Sequence, residues 1–181
     1  STITALIAKV LIDNKFDPTV IVGTNLKELD GGNFRVGNSS LLVLEACEYR
    51  RAFLNYSPLM ILLHTLDPDH LDYYSDFEDY LSAFRSFASL LPPDGYFFAN
   101  LDNPDVHNIL QHLQLKKFPP YNTFTYSSKY PECDFYLLGK KIIMKNEEVG
   151  ELGLRIPGEH NRTNALAAFA VCQTLGIAPL E

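Results

Sequence analysis

The chain has 181 residues, 46% of them hydrophobic and 20% charged, so it is long enough to bury a core as one globular domain. Its formal net charge of -7 argues against nucleic acid or an anionic membrane surface as a partner, because both select for basic faces. Its cysteines lack C-x-x-C spacing, which favours neither disulfides nor a zinc cage and indicates a reducing, cytoplasmic setting. No transmembrane span or signal peptide is predicted, since no apolar run approaches about 18 residues.

The first hundred residues alternate between helix patterns and short apolar runs. Residues 1–14 carry apolar side chains at helical spacing, so a helix is expected to begin at the first or second residue. A β-branched run ends at Gly23, and the Gly/Asn-rich residues 30–40 predict turns and loop. Three further apolar runs, at 41–44, 58–66 and 95–100, predict strands. Their hydrophobicity is continuous, which is typical of strands buried on both faces of a parallel sheet.

Helix patterns follow two of these strands. One begins with Ser75 and Glu78 at capping-box spacing. The other has Pro104 at a favoured first helical position. Strands that alternate with helices predict βαβ units, and therefore an α/β fold with a mostly parallel sheet flanked by helices.

The pattern changes from about Asp134. Three short strands, broken by Gly139-Lys140 and by Asn146-Glu147-Glu148, predict a small antiparallel meander near the C-terminus. A last helix follows and is expected to stop at Gly176.

Polar side chains follow the three continuous apolar runs. The first run is followed by Glu45 and Glu48, and the second by His70. The third ends at Asn100, with Asp102 beyond it. Because the carboxyl ends of parallel strands open onto one crevice, these groups are expected to converge there. Carboxylates and an imidazole are ligands that a divalent cation such as Mg²⁺ accepts.

Plainer interpretations exist for each of these residues. Acidic side chains after strands often cap helices or form turns, and a lone histidine such as His70 is more often a hydrogen-bonded structural residue. The combination of residues argues against these interpretations.

Three motifs, taken in order, resemble the central, ATP-binding domain of the Mur ligases. They are EACEYRRAFL, LDPDHLDYY and PGEHNRTNALAA. The family pattern has an acidic strand end (E-A-x-E), a D-H-x-D segment about 25 residues later, and an H-N-x-x-N helix start. Here 70 minus 45 gives that same spacing of 25 between Glu45 and His70. The resemblance spans essentially the whole chain and implies a sheet like that of the P-loop NTPases.

The resemblance implies a role for each matching residue at the acidic edge. Glu45 and His70 would help to hold a Mg²⁺ ion that bridges ATP and substrate. Glu48 would lie near the incoming amino acid. Ser1 and Thr2 would be the last residues of a P-loop, and the Ser1 hydroxyl would reach the same ion.

The helix start would contact the nucleotide. By resemblance, Asn161 and Asn164, with His160 beside them, would sit at the adenine of ATP. The implied reaction is phosphoryl transfer from ATP to the carboxylate of UDP-N-acetylmuramate, followed by attack of the amine of L-alanine on the acyl phosphate. The wording EACEYRR favours this alanine-adding branch, because the tripeptide-adding branch usually reads E-A-D-E-Y-D.

The resemblance also predicts what lies outside residues 1–181. The glycines and lysine of the P-loop, and the strand leading into it, would lie in another part of a longer protein. An N-terminal UDP-sugar domain and a C-terminal domain would also belong to that longer protein. The chain is therefore expected to be a central-domain fragment without ligase activity of its own. Loss of an interior strand would also leave an open sheet edge, which predicts self-association.

Other functions remain open from the sequence. A murein-tripeptide ligase and a folylpolyglutamate synthase share the same domain plan. A non-catalytic nucleotide-binding module could keep the fold, although it would have no chemical reason to keep the acidic, histidine and asparagine motifs together. A metal-dependent hydrolase is the weakest alternative, because no second histidine or paired acid lies close to His70 in sequence.

Overall fold

A computed structural model describes residues 1–29, 31–70, 72–115, 122–154 and 158–177. These residues contain four α-helices and nine β-strands. The helices are α1 (Thr2–Asp13), α2 (Phe77–Ala88), α3 (Pro104–Leu115) and α4 (Glu159–Thr174). The strands are β1 (Thr19–Ile21), β2 (Phe34–Arg35), β3 (Leu42–Leu44), β4 (Met60–Leu63), β5 (Tyr96–Asn100), β6 (Asn122–Ser127), β7 (Phe135–Leu138), β8 (Lys141–Met144) and β9 (Glu147–Glu151).

Six strands form the main sheet, in the order β4-β5-β6-β7-β8-β9. The pairs from β4 to β7 are parallel, and the pairs β7-β8 and β8-β9 are antiparallel. The predicted meander is therefore confirmed. Its strands, β7, β8 and β9, extend the parallel sheet on the side away from β4. The α/β prediction is confirmed as well.

Helices cover the main sheet on both faces. In β4, Ile61 and Leu63 point into a core cluster built with α2 and α3. Met60 and Leu62 pack against a second cluster that contains residues of α1 and α4. Because alternate residues of one strand enter two apolar layers, β4 needs a continuous apolar sequence.

Three strands form a smaller sheet, in the order β2-β1-β3, with β1 parallel to β3 and antiparallel to β2. Its inner face is closed by α1, where Val20 and Val22 are buried with Ala8. Its outer face, defined here as Ile21, Phe34 and Leu42, is 39%, 53% and 56% exposed respectively. Among the described residues, β3 pairs only with β1, and β4 pairs only with β5, so each strand keeps one open edge.

Three local features differ from the sequence predictions. Phe34 and Arg35 form β2, whereas the sequence predicted loop there. The sequence did not predict β6, although this strand lies inside the main sheet. The predicted capping box, Ser75 with Glu78, is wrong by one position. The N-cap of α2 is Asp76, and its carboxylate accepts a hydrogen bond from the Asp79 amide at 2.8 Å.

Cys47, Cys133 and Cys172 are free thiols. Within the described ranges, none of the helices combines the length and apolar character needed to cross a membrane.

Candidate functional site

Glu45 directly follows β3, and its side chain contacts both the start of α1 and the segment after β1. Its carboxylate accepts a hydrogen bond from the Ser1 hydroxyl at 2.9 Å and one from the Gly23 amide at 2.7 Å. The N-terminal ammonium lies 3.1 Å from the same carboxylate. A Cβ atom at Gly23 would come within 3.3 Å of Glu45 Oε2, so the absence of a side chain there lets the amide approach.

These contacts keep Glu45 ionised. Partial burial raises the pKa of the Glu45 carboxyl, but the hydrogen bonds that the carboxylate accepts from Gly23 and from Ser1 outweigh burial. The net result is a pKa below the ordinary value for glutamate. Glu45 and Ser1 therefore present anionic and hydroxyl oxygens side by side.

A second cluster, Glu48, Asp69 and His70, joins the loop after β3 to the loop after β4. One ligand atom from each residue lies within 4.8 Å of the others. His70 Nε2 is 3.6 Å from Glu48 Oε1, and His70 Nδ1 is 3.8 Å from Asp69 Oδ1. We call this group the acidic-imidazole cluster.

Aromatic side chains brace the acidic-imidazole cluster. The Tyr49 ring lies 4.8 Å from the His70 ring, and the Tyr74 hydroxyl donates to the Glu48 carbonyl. The backbone is left-handed at His70 (φ 55°), at Arg50 (φ 51°) and at its neighbour Arg51 (φ 56°). Non-glycine residues in this conformation carry strain, which is often found at ligand sites.

The predicted metal ligands thus fall into two neighbouring groups. Ser1 lies against Glu45, whereas His70 lies against Glu48. Among the described residues, no ion pair within 4 Å joins Glu45 to His70. Thr2, the first residue of α1, has no polar side-chain contact among those described.

A cleft of about 290 Å³ lies at the carboxyl ends of β4, β5 and β6, beside the start of α4. Its polar wall contains histidine, carboxylate, amide, hydroxyl and ammonium groups. The lining residues are His64, Thr65, Asn100, Asp102, Asn103, Ser128, Lys129, Glu159, His160 and Thr163.

Asp102 organises the side of this cleft that β6 provides. Its carboxylate accepts hydrogen bonds from the hydroxyls of Ser127 and Ser128 and from the Ser128 amide. Burial raises the pKa of Asp102, but these hydrogen bonds outweigh burial and hold the pKa below its ordinary value. Asp102 is therefore ionised and fixed, and the loop that carries Lys129 is fixed with it.

The three residues predicted at the adenine are close together, but only one of them lines the cleft. His160 is in the lining, while Asn161 and Asn164 are not among the described lining residues. Asn164 instead donates to the Asn161 side chain at 3.3 Å, one helical turn away. Gly158, the N-cap of α4, has φ 108° and lies so close to the His160 ring that an added Cβ would come within 2.6 Å of it.

Sequence reasoning missed the residues that follow β6 in the cleft and, apart from His160, those of α4. Ser128, Lys129, Glu159 and Thr163 were not candidates. The available signal was the polar run after Tyr126, which has the same strand-end position as Glu45 and Asn100 once β6 is recognised.

The sequence profile described as "Mur ligase middle domain" matches residues 1–172. The UDP-N-acetylmuramate--L-alanine ligase of Caldicellulosiruptor saccharolyticus is 38% identical, and the match covers 98% of this chain and 39% of that protein. The protein of the same name from Dictyoglomus turgidum is 35% identical, with 98% of this chain and 38% of that protein covered. The chain thus spans about two fifths of the length of these relatives.

Solved structures resemble the fold at lower identity. The UDP-N-acetylmuramate-alanine ligase of Thermotoga maritima superposes with a TM-score of 0.79 at 24% identity, covering 98% of this chain and 39% of that chain. The MurF ligase of the same organism, solved in complex with ADP, has a TM-score of 0.63 at 17% identity and covers 99% of this chain and 46% of that chain.

Proposed function

Because this chain belongs to the Mur ligase middle-domain family, we propose that it is the nucleotide-binding domain of an ATP-dependent ligase that joins L-alanine to UDP-N-acetylmuramate. The chain covers 39% of the first relative's length, so the UDP-sugar and amino-acid sites are assigned to the rest of the longer protein. On this proposal the 181-residue chain alone has no ligase activity, and the ligase works in the cytoplasm in peptidoglycan synthesis.

The observation that carries this proposal is the meeting of two strand-end loops. Glu48, after β3, contacts His70, after β4, and the cleft opens at the ends of β4 to β6. In open parallel sheets, ligands bind beyond the carboxyl ends of the strands. Anionic groups for a cation and polar groups for a nucleotide therefore occupy the same rim.

The residues at this rim fit Mg²⁺. The Ser1 hydroxyl and the Glu45 carboxylate are 2.9 Å apart, and both are hard oxygen donors of the kind that Mg²⁺ prefers. The ligand atoms of the acidic-imidazole cluster lie within 4.8 Å of one another, close enough to share one ion. From the family resemblance we assign Ser1, Glu45 and His70 as the residues that would hold Mg²⁺, with Glu48 and Asp69 beside His70. Bound Mg²⁺ would neutralise charge on the phosphates during transfer.

The proposed reaction has two steps. An oxygen of the UDP-N-acetylmuramate carboxylate attacks the γ-phosphorus of ATP, and ADP leaves, which produces an acyl phosphate. The amine of L-alanine then attacks the acyl carbon, phosphate leaves and the nitrogen loses a proton, which produces the amide. Charge neutralisation and the close positioning of two anions are the main demands of such chemistry.

Each residue has a role in these steps. Glu45 and His70 would hold the Mg²⁺ that neutralises charge on the phosphates. Glu48 orients the ammonium group of L-alanine before that group loses its proton. Ser1 and Thr2 stand at the start of α1, where unpaired backbone N–H groups favour anions.

The nucleotide base is assigned to the start of α4. His160 supplies a ring in the wall of the cleft. Asn161 and Asn164 supply amides on the same helix, one turn apart.

The test uses the longer ligase that contains this chain. Phosphate release is measured with ATP, UDP-N-acetylmuramate and L-alanine, omitting one at a time. We expect release to require all three, and Glu45→Gln or His70→Ala to lower kcat by about a hundredfold or more, the size of effect seen when a group that stabilises transition-state charge is removed. Glu147→Gln on β9, which is exposed, is the matched control and should leave kcat unchanged.

Three results would overturn this proposal or part of it. Activity with a murein tripeptide in place of L-alanine would assign the chain to the tripeptide-adding branch. Full activity of Glu45→Gln and His70→Ala would remove both residues from the chemistry. Substantial ligase activity of the isolated 181-residue chain would refute the assignment of substrate sites to other domains.

A further inference from the structure

His64 directly follows β4, and its imidazole and backbone contact residues of β5 and β6. The ring lines the cleft. Its Nδ1 is 2.9 Å from the Tyr126 hydroxyl of β6, and its backbone carbonyl accepts a hydrogen bond from Asn100 of β5 at 2.9 Å. The ring and the backbone of this residue are therefore both held in place.

Tyr126 determines which nitrogen of His64 carries the proton. Its side chain is 0% exposed, and burial raises the pKa of the phenol well above the ordinary value, so the hydroxyl stays protonated. The single hydroxyl proton can go to His64 Nδ1, at 2.9 Å, or to the Leu63 carbonyl, at 3.4 Å. The shorter contact is the better hydrogen bond. If Tyr126 donates to Nδ1, the proton of a neutral imidazole lies on Nε2. If instead Nδ1–H donates to the hydroxyl and the hydroxyl donates to Leu63, Nε2 carries no proton.

Burial lowers the pKa of His64 and so favours the neutral imidazole. The nearby Asp102 carboxylate raises this pKa, but its influence is smaller than that of burial. Within the described residues, Nε2 has no hydrogen-bond partner in the protein. With Tyr126 donating to Nδ1, His64 presents an Nε2–H donor at the cleft that has no acceptor among the described residues.

We propose that His64, held by Tyr126, donates a hydrogen bond from Nε2–H to an oxygen of the nucleotide in the cleft and so sets affinity for ATP. This inference rests on the proposed function. It assigns His64, directly after β4, and Tyr126, on β6, as a pair that positions ATP. This pair affects ATP binding and not the chemical step. The acceptor is an oxygen of the phosphates or of the ribose.

The kinetic test uses the longer ligase and separates KM for MgATP from kcat. His64→Phe keeps a planar ring but removes the donor, and should raise KM about five- to tenfold with little change in kcat, as expected for one neutral hydrogen bond. His64→Gln places an amide N–H near the position of Nε2 and should restore most of the affinity. Equal KM values for His64→Gln, His64→Phe and the unchanged protein would overturn the inference.

The tautomer is tested directly on the 181-residue chain by ¹⁵N NMR of the histidine ring nitrogens. We expect His64 to show a protonated Nε2 and an unprotonated Nδ1. Tyr126→Phe, which removes only the hydroxyl, should give a mixture of tautomers and an intermediate KM in the longer ligase. A protonated Nδ1 in the unchanged chain would refute the role of Tyr126.

Binding probes identify the acceptor and separate this inference from the proposed function. A loss of affinity for inorganic tripolyphosphate in His64→Phe places the acceptor on the phosphates, and a loss for adenosine alone places it on the ribose. If the unchanged ligase binds no MgATP, the proposed function fails and this inference fails with it. If it binds MgATP and the His64 variants bind equally well, only this inference fails.

Discussion

The two sheets of this protein both contain short apolar strands, but they are buried to different extents. The six-stranded sheet has helices on both faces, so that Phe98 of β5 is 0% exposed. The three-stranded sheet has α1 on its inner face only, and Phe34 on its outer face is 53% exposed. The difference teaches that a run of apolar residues identifies a strand but does not reveal how many of its faces the chain itself covers.

The largest expected effect is a difference in stability between one substitution in each sheet. Phe98→Ala should lower the free energy of unfolding by about 3–5 kcal/mol, because it opens a cavity between two packed layers. Phe34→Ala should change it by less than about 0.5 kcal/mol, the usual range at exposed positions. Urea denaturation followed by circular dichroism measures both. A large loss for Phe34→Ala would mean that the outer face is covered in solution.

Self-association provides the second test. The outer face and the open edge of β3 lie together, which favours pairing with another chain. We propose that the 181-residue chain associates through this region, and Leu42→Lys should then raise the dissociation constant at least about tenfold, or about 1.4 kcal/mol. Leu138→Lys, at a position that is 63% exposed on β7, is the matched control and should have no effect.

Sedimentation equilibrium measures this association. A chain that stays monomeric at high concentration before any substitution would contradict the proposal. Equal effects of Leu42→Lys and Leu138→Lys would place the contact elsewhere.

The smallest expected effect is on the pH dependence of stability. Asp102 at the main sheet and Glu45 at the small sheet both have pKa values below the ordinary ones. Their stabilisation is therefore fully present above the unfolded pKa values, about 4, and is lost as pH falls through the folded ones. Asp102→Asn and Glu45→Gln should each flatten the loss of unfolding free energy between about pH 5 and pH 3.

Glu147→Gln, which removes an exposed carboxylate on β9, is the control for loss of charge alone. Thermal unfolding at a series of pH values provides the measurement. If either site variant kept the full slope of the unchanged chain, the corresponding hydrogen bonds would not contribute to stability at acidic pH.

The sequence predicted those parts of the fold whose patterns are local. Continuous apolar runs identified β3, β4 and β5, and the turn residues identified the hairpins of the meander. The strand β6 was missed because Asn122, Thr123, Thr125 and Ser127 make it largely polar. Its burial depends on β5 and β7 on either side, and that neighbourhood is a tertiary property that a local pattern does not carry.

The candidate site was predictable to the same extent. Glu45, Glu48 and His70 follow recognisable strands, and the sequence placed them at one rim. Which of them touch was not predictable, because the contact between Glu48 and His70 depends on left-handed backbone in both loops. The pairing of His64 with Tyr126 was missed for another reason, since it requires that β6 be present and in register.

The turn between β8 and β9 has a practical consequence. Lys145 and Asn146 both have left-handed backbone, with φ of 50° and 67°, and they reverse the chain at the margin of the sheet farthest from β4. A fluorophore or affinity peptide attached there would report on the molecule, or immobilise it, without obstructing the cleft that His64 and His160 line.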